Sequence, residues 1–185
     1  MRSVSPLVAL ALALAACDRD GPLDTVSDST LDAAVWRGDG QKISAAMPHA
    51  VGAFVPVEGV DAFSTSYSTG PVFGASCTYG DGARQLTVRV ESGNIRVHAA
   101  SLDTRPGVVA SDSGFVTRQA VVHGRPAALR WSEKARTGEV TFLVQRRFLV
   151  EVRVSPATSA DEAVSLASSI DLAPLESLVL DGVTH

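Results

Sequence analysis

The chain has 185 residues and a formal net charge of −4. An acidic chain without a basic patch excludes charge-driven binding to nucleic acid, and it offers no electrostatic attraction to anionic lipid. The length suits a single domain with a sizeable core.

The first sixteen residues have the layout of a secretory signal. Arg2 gives a positive start, an apolar run extends from 7 to 16, and Leu14-Ala15-Ala16-Cys17 places small residues before a cysteine. The run is shorter than the about 20 apolar residues of a membrane-spanning helix. The Leu-Ala-Ala-Cys sequence resembles the lipobox of bacterial lipoproteins, and this resemblance covers residues 1–17.

The lipobox resemblance implies a lipid anchor on Cys17. In that family the cysteine receives a diacylglyceryl group, the signal peptide (residues 1–16) is removed, and the new amine is often acylated, for example with palmitate. The resemblance therefore implies attachment to a membrane, at the cell envelope and facing the periplasm. Asp18 favours the inner membrane by a rule of the same family.

Ordinary signal cleavage is the alternative. Ala13-Leu14-Ala15 also fits a small-residue cleavage site, which would release a soluble exported protein starting at Ala16. In an oxidising compartment Cys17 and Cys77, the chain's two cysteines, would then be able to pair.

A polar segment follows the cysteine. Residues 18–29 contain four aspartates and Gly21-Pro22 and show no apolar periodicity. A coil of that length reaches about 20 Å on average. We therefore predict an acidic flexible tether over residues 17–29, which holds a single domain, residues 30–185, close to its membrane.

The domain is predicted to begin with a short helix over 40–47, which Pro48 stops. Asp81-Gly82 is a strong turn signal, so 72–79 and 84–91 are predicted to pair as a hairpin. In the second of these strands apolar and polar residues alternate, which indicates one buried and one wet face. Residues 102–113 are predicted to form a loop.

More strands are predicted in the second half of the chain. They cover 114–122, 127–133, 139–145 and 148–154, with a turn at His123-Gly124. The apolar alternation changes phase at 145–147, which indicates a tight turn, although one long bent strand also fits the pattern.

A helix is predicted after the last strand. Ser159-Ala-Asp-Glu162 matches a capping box, and Ala163, Ala167 and Ile170 recur at helical spacing. Pro174 starts a further short helix to Leu180. Strands flanked by helices predict an α+β fold, in which an antiparallel β-sheet packs against a short N-terminal helix and a C-terminal helix.

The sequence offers no catalytic or metal-binding motif. Its four histidines are scattered without ligand spacing, so we expect no metal and no cofactor. Glu133, Glu139 and Glu151 are predicted on wet strand faces, and nothing in the sequence marks a raised pKa. Cys77 lies in a predicted strand, where a buried inert thiol is the simplest interpretation.

Three residues are candidates for partner contact. Arg146 and Arg147 lie at a predicted hairpin tip, where they can contact an acidic partner or a lipid headgroup, although a solvated turn is the simpler interpretation. Trp36 follows the tether and can cap the sheet or join an interface, whereas Trp131 is predicted to pack in the core.

The leading hypothesis is a non-catalytic cell-envelope lipoprotein that binds a protein partner in the periplasm and no nucleic acid. A more specific version is an immunity or inhibitor lipoprotein that neutralises a toxin or hydrolase. A carrier of a small ligand or lipid is the contrasting hypothesis, and it requires an apolar pocket between sheet and helix.

Overall fold

A computed structural model of the chain describes residues 39–67, 70–93, 110–112, 114–145 and 147–178. Within these ranges nine strands form one antiparallel sheet, and three short helices accompany it. The strands are β1 (Val55–Pro56), β2 (Asp61–Tyr67), β3 (Gly70–Gly80), β4 (Gln85–Ser92), β5 (Ala110–Asp112), β6 (Phe115–Val122), β7 (Arg125–Ser132), β8 (Thr137–Val144) and β9 (Phe148–Ser155). The helices are α1 (Gly40–Ala45), α2 (Ala160–Ser168) and α3 (Ala173–Glu176).

The strand order is β1-β3-β4-β9-β8-β7-β6-β5, and β2 also pairs with β3. β1 pairs with the C-terminal end of β3, and β2 pairs with its remainder. β9 lies between β4 and β8, so it joins the β3–β4 hairpin to the strands β5 to β8. The α+β prediction therefore holds as an antiparallel sheet with a few short helices, in which strands dominate.

The predicted hairpins are confirmed. β3 and β4 pair from Gly80↔Gln85 to Phe73↔Ser92 around the predicted Asp81-Gly82 turn. The predicted turn between β6 and β7 has positive φ at both central residues, 50° at His123 and 73° at Gly124, which is the geometry that suits a two-residue hairpin.

Residues 145–147 connect two paired strands. β8 and β9 are separate strands that pair from Val144↔Phe148 to Gly138↔Val154. Gln145 has a φ of 51°, and the Arg147 N–H donates to the Val144 carbonyl at 3.0 Å. The change of phase therefore marks a tight turn.

Some elements differ from the predictions. β1 and β2 were not predicted, because two residues are too few for a pattern and β2 alternates only weakly. Of the predicted loop 102–113 the structure describes residues 110–112. For these residues the prediction is wrong, because they form β5, which pairs with β6 across the turn at Gly114. α3 ends at Glu176 rather than Leu180; Ser177 Oγ donates to the Pro174 carbonyl at 3.0 Å, and such a bond competes with helix continuation.

The main hydrophobic cluster lies on one face of the sheet, here called the helix face. Leu129, Val140, Val152 and Val88 are register partners across four neighbouring strands, and each is 0% exposed. The buried residues of all three helices belong to the same hydrophobic cluster. The alternation in the sequence thus identifies most of the buried side chains correctly; Leu149, which alternates with the core residues of β9, is also buried, at 5% exposed.

A glycine lets α2 approach the sheet closely. A Cβ at Gly138 of β8 would lie 2.5 Å from the Cβ of Ala163 on α2. Two Cβ atoms cannot approach to this distance. The helix can therefore pack here only because residue 138 is glycine and residue 163 is no larger than alanine.

The start of α2 is capped as predicted. Ser159 Oγ accepts a hydrogen bond from the Glu162 N–H at 3.2 Å. The Glu162 carboxylate reaches the Thr158 N–H, at 2.6 Å, one residue before the capping serine. Glu162 also forms an ion pair with Arg84, which ties the helix to the β3–β4 turn.

Candidate functional site

Successive residues of a strand point to opposite faces of the sheet. The residues that alternate with the apolar core residues therefore lie on the second face, and many of them are polar. We call this second face the charged face and define it by six central residues. These residues are Arg89, Glu91, Arg130, Glu139, Glu151 and Arg153. The buried residues of the described helices pack on the opposite side of the sheet, in the hydrophobic cluster of the helix face.

Strand register brings the six charges together. Arg89 of β4 is opposite Glu151 of β9. In the next row Arg153 of β9 is opposite Glu139 of β8, and Glu139 is opposite Arg130 of β7. Directly opposed side chains in antiparallel sheets have Cβ atoms about 5 Å apart. The result is a compact lattice of alternating charges in the middle of the sheet.

Two ion pairs hold this lattice. Arg89 Nε donates to Glu91 Oε1 at 2.6 Å, and Arg130 Nη1 donates to Glu139 Oε1 at 2.9 Å. Both pairs join an arginine to a carboxylate near it on the same strand or the adjacent one. Exposed pairs of this kind contribute about 1 kcal/mol or less, so their main effect is to fix where the guanidinium groups lie.

The arginines form the solvent-facing layer of the charged face. The side chains of Arg89 and Arg130 are 42% and 41% exposed, whereas those of Glu91 and Glu139 are 15% and 14% exposed. Arg153 is also exposed. A partner that approaches these central residues therefore meets guanidinium groups before it meets carboxylates.

Aromatic rings support two of these arginines. The Arg89 guanidinium lies 4.4 Å from the centroid of Phe63, and that of Arg130 lies 4.9 Å from the centroid of Phe115. Phe63 extends from β2 across Gly74 of β3, where a Cβ would collide with the ring. Each cation–π contact contributes about 0.5–1 kcal/mol at an exposed site, and it also restricts the arginine.

Glu151 differs from the other carboxylates of the charged face. It is half-buried at the centre of the lattice, and no hydrogen bond to it is found within the described ranges. Burial raises its pKa, and the negative charges of Glu139 and Glu91 act in the same direction against Arg89 and Arg153. The expectation that no carboxylate of these strands has a raised pKa is therefore wrong for Glu151.

The predicted contact residues lie elsewhere. Cys17, Trp36 and Arg146 fall outside the described residues. Arg147 is half-buried in the β8–β9 turn. Trp131 packs partly buried against the core, as predicted, and its Nε1–H donates to Glu133 Oε2 at 2.9 Å. The charged face was missed because its residues come from strands far apart in the chain.

Cys77 is buried in β3, as predicted, and it is free, which the sequence left open. Burial raises the pKa of its thiol, which keeps it in the unreactive neutral form. Within the described residues no group of three or more His, Cys, Asp and Glu side chains is placed to hold a metal ion. The same part of the chain contains no helix long and apolar enough to cross a bilayer.

No family model matches the chain, and no curated protein and no solved structure is significantly similar to it.

Proposed function

We propose that the protein is a non-catalytic lipoprotein of the cell envelope, anchored through Cys17, whose domain binds a protein partner. The lipobox-like sequence supports the anchor, and the acidic segment after it supports a short tether. In this proposal the helices close one face of the sheet, and the other face is available to the partner.

The difference between the two faces is the observation that carries the proposal. The helix face is packed with apolar side chains, whereas the charged face carries arginines held by aromatic rings and carboxylates. Arginine and aromatic residues are enriched where proteins bind one another. Because these arginine side chains are already restricted before binding, less side-chain entropy is lost when a partner binds.

The carboxylates of the charged face have structural explanations. Glu91 and Glu139 are engaged by Arg89 and Arg130. Glu151 lies between strands on a sheet surface rather than in a cleft with a nucleophile beside it. Acid–base catalysis needs such a partner within hydrogen-bond reach of the reacting group, so binding accounts better for this arrangement.

The packing between helix and sheet favours a partner-binding domain over a carrier. Carriers of small ligands enclose cavities of about 300–1,000 Å³. The contact between Gly138 and Ala163 brings α2 directly onto β8, which leaves no room for a ligand at that point of the interface.

The anchor is tested by metabolic labelling with a palmitate analogue. Cys17→Ser should lose the label and leave the membrane fraction. Cys77→Ser is the matched control and should keep both, because that thiol is buried. Label retained on the Cys17→Ser variant would contradict the anchor.

Partner binding is tested by capturing the tagged, lipidated protein from its own envelope after mild crosslinking. One dominant, roughly stoichiometric protein is the expected result, and a toxin or hydrolase in that position would establish the inhibitor version. Recovery of no specific protein at comparable yield would overturn the proposal.

A further inference from the structure

The charge of the charged face is layered. Among its six central residues the carboxylates are largely covered and the guanidinium groups are exposed, so the outer surface of this central part is cationic although the whole chain carries a net charge of −4. Because electrostatic potential near a surface depends most on the nearest charges, the sign presented to a partner here is opposite to that of the chain.

Arg153 is the central arginine of this outer surface. It lies between Arg89, one strand away, and Arg130, two strands away. Arg89 and Arg130 each form an ion pair, whereas Arg153 forms none with any carboxylate in the described ranges. Its interaction with Glu151 is limited to attraction at longer range. An exposed guanidinium without an ion pair has its donors available for a bidentate contact with an incoming carboxylate.

We propose that the charged face is the docking surface for a protein partner that presents an acidic segment, and that Arg153 is the residue that receives its carboxylates. This inference rests on the proposed function and adds to it the surface and the chemistry of the partner. Arg89 and Arg130 flank the contact, and the Phe63 and Phe115 rings hold them in position for it.

The shape of the surface favours a protein as the source of the carboxylates. The six strands from β3 to β6 span about 24 Å at the usual strand spacing of about 4.8 Å. This width matches one side of a standard protein interface, which buries about 800 Å² per partner. Lipid headgroups are the competing source of negative charge, and the test below separates the two.

The docking surface is tested by photocrosslinking in the native envelope. A benzophenone amino acid is placed at Thr87, directly opposite Arg153 on the charged face, or at Ser165, an exposed residue of α2. We expect a discrete protein adduct from position 87 and none from position 165.

The acidic chemistry is tested by changing Arg153 in the position-87 protein. Arg153→Gln should lower the adduct yield about tenfold, which corresponds to about 1.4 kcal/mol. Arg153→Lys should retain part of the yield, because it keeps the charge but not the bidentate geometry. Lys134→Gln removes the same charge from an exposed turn and should leave the yield unchanged. Equal thermal unfolding of the variants shows that all of them fold.

The outcomes distinguish the two proposals. An adduct from position 165 alone would overturn the docking surface and leave partner binding intact. An adduct at position 87 that is insensitive to Arg153→Gln would overturn the acidic chemistry. Crosslinks to lipid only, at position 87, would assign the surface to headgroups instead. No protein adduct from either position would count against partner binding itself.

Discussion

The two faces of the sheet are built from the same strands yet depend on different physics. On β8, Val140 and Phe142 are fully buried in the core, whereas Glu139 and Thr141, which alternate with them, lie on the charged face. The contribution of Val140 and Phe142 to stability comes from close packing, which is sensitive to side-chain volume. The contribution of Glu139 and Thr141 depends on charge and on contact with solvent. Neighbouring residues in one strand should therefore respond to substitution in different ways.

The largest expected difference is between Phe142 and Thr141. Phe142→Ala should lower the free energy of unfolding by about 3–5 kcal/mol, because it removes apolar contacts and leaves a cavity. Thr141→Ala should cost about 1 kcal/mol or less, which reflects strand preference alone. Urea unfolding followed by circular dichroism measures both. Equal losses would show that the charged face is packed as tightly as the helix face.

A smaller effect is expected where α2 contacts the sheet. Gly138→Ala should cost about 1–3 kcal/mol, since the new Cβ collides with Ala163. Ala163→Gly should cost about 1 kcal/mol from helix preference. In a double-mutant cycle the combined variant should lose less than the sum of the two. Additive losses would mean that the two residues do not press on each other.

The smallest effect is expected at Glu151, and it depends on pH. Because the folded state raises the pKa of this carboxyl, the folded protein binds its proton more tightly than the unfolded chain does. The charged carboxylate therefore costs stability above its folded pKa, and this cost disappears as pH falls through that value toward the ordinary 4.5.

Glu151→Gln should accordingly be more stable than the wild type at about pH 8 and equal to it near about pH 4. Thermal unfolding across this range measures the difference. Glu139→Gln is the comparison variant: it removes the repulsion on Glu151 but also the ion pair with Arg130, so its gain at neutral pH should be smaller than that of Glu151→Gln. A Glu151→Gln advantage that is the same at every pH would contradict the assignment.

The core could be predicted from the sequence because its signal is local. Alternation within β4, β8 and β9 identifies the buried residues, and Ser159 with Glu162 marks the start of α2. Each of these patterns is complete within about ten residues. β1 and β5, with two and three residues, are too short to show a period and depend on their pairing partners.

The charged face could not be predicted because it depends on long-range pairing. Each of its strands shows ordinary polar residues on a wet face. Only the pairing of β4 with β9 brings Arg89 beside Glu151, and nothing near either residue indicates that partner. The lipid anchor on Cys17 and the contacts of Trp36 and Arg146 stay predictions.

The central place of β9 has a consequence for how the chain folds. Of the strands within the described residues, β9 is the last to be synthesised, yet both of its edges pair, with β4 and with β8. Until β9 emerges, β4 and β8 each have an unpaired edge, and the core lacks the buried residues of the strand between them. Sheets that rely on such distant pairing fold slowly. The core of this domain therefore cannot close until β9 is available to pair with both strands.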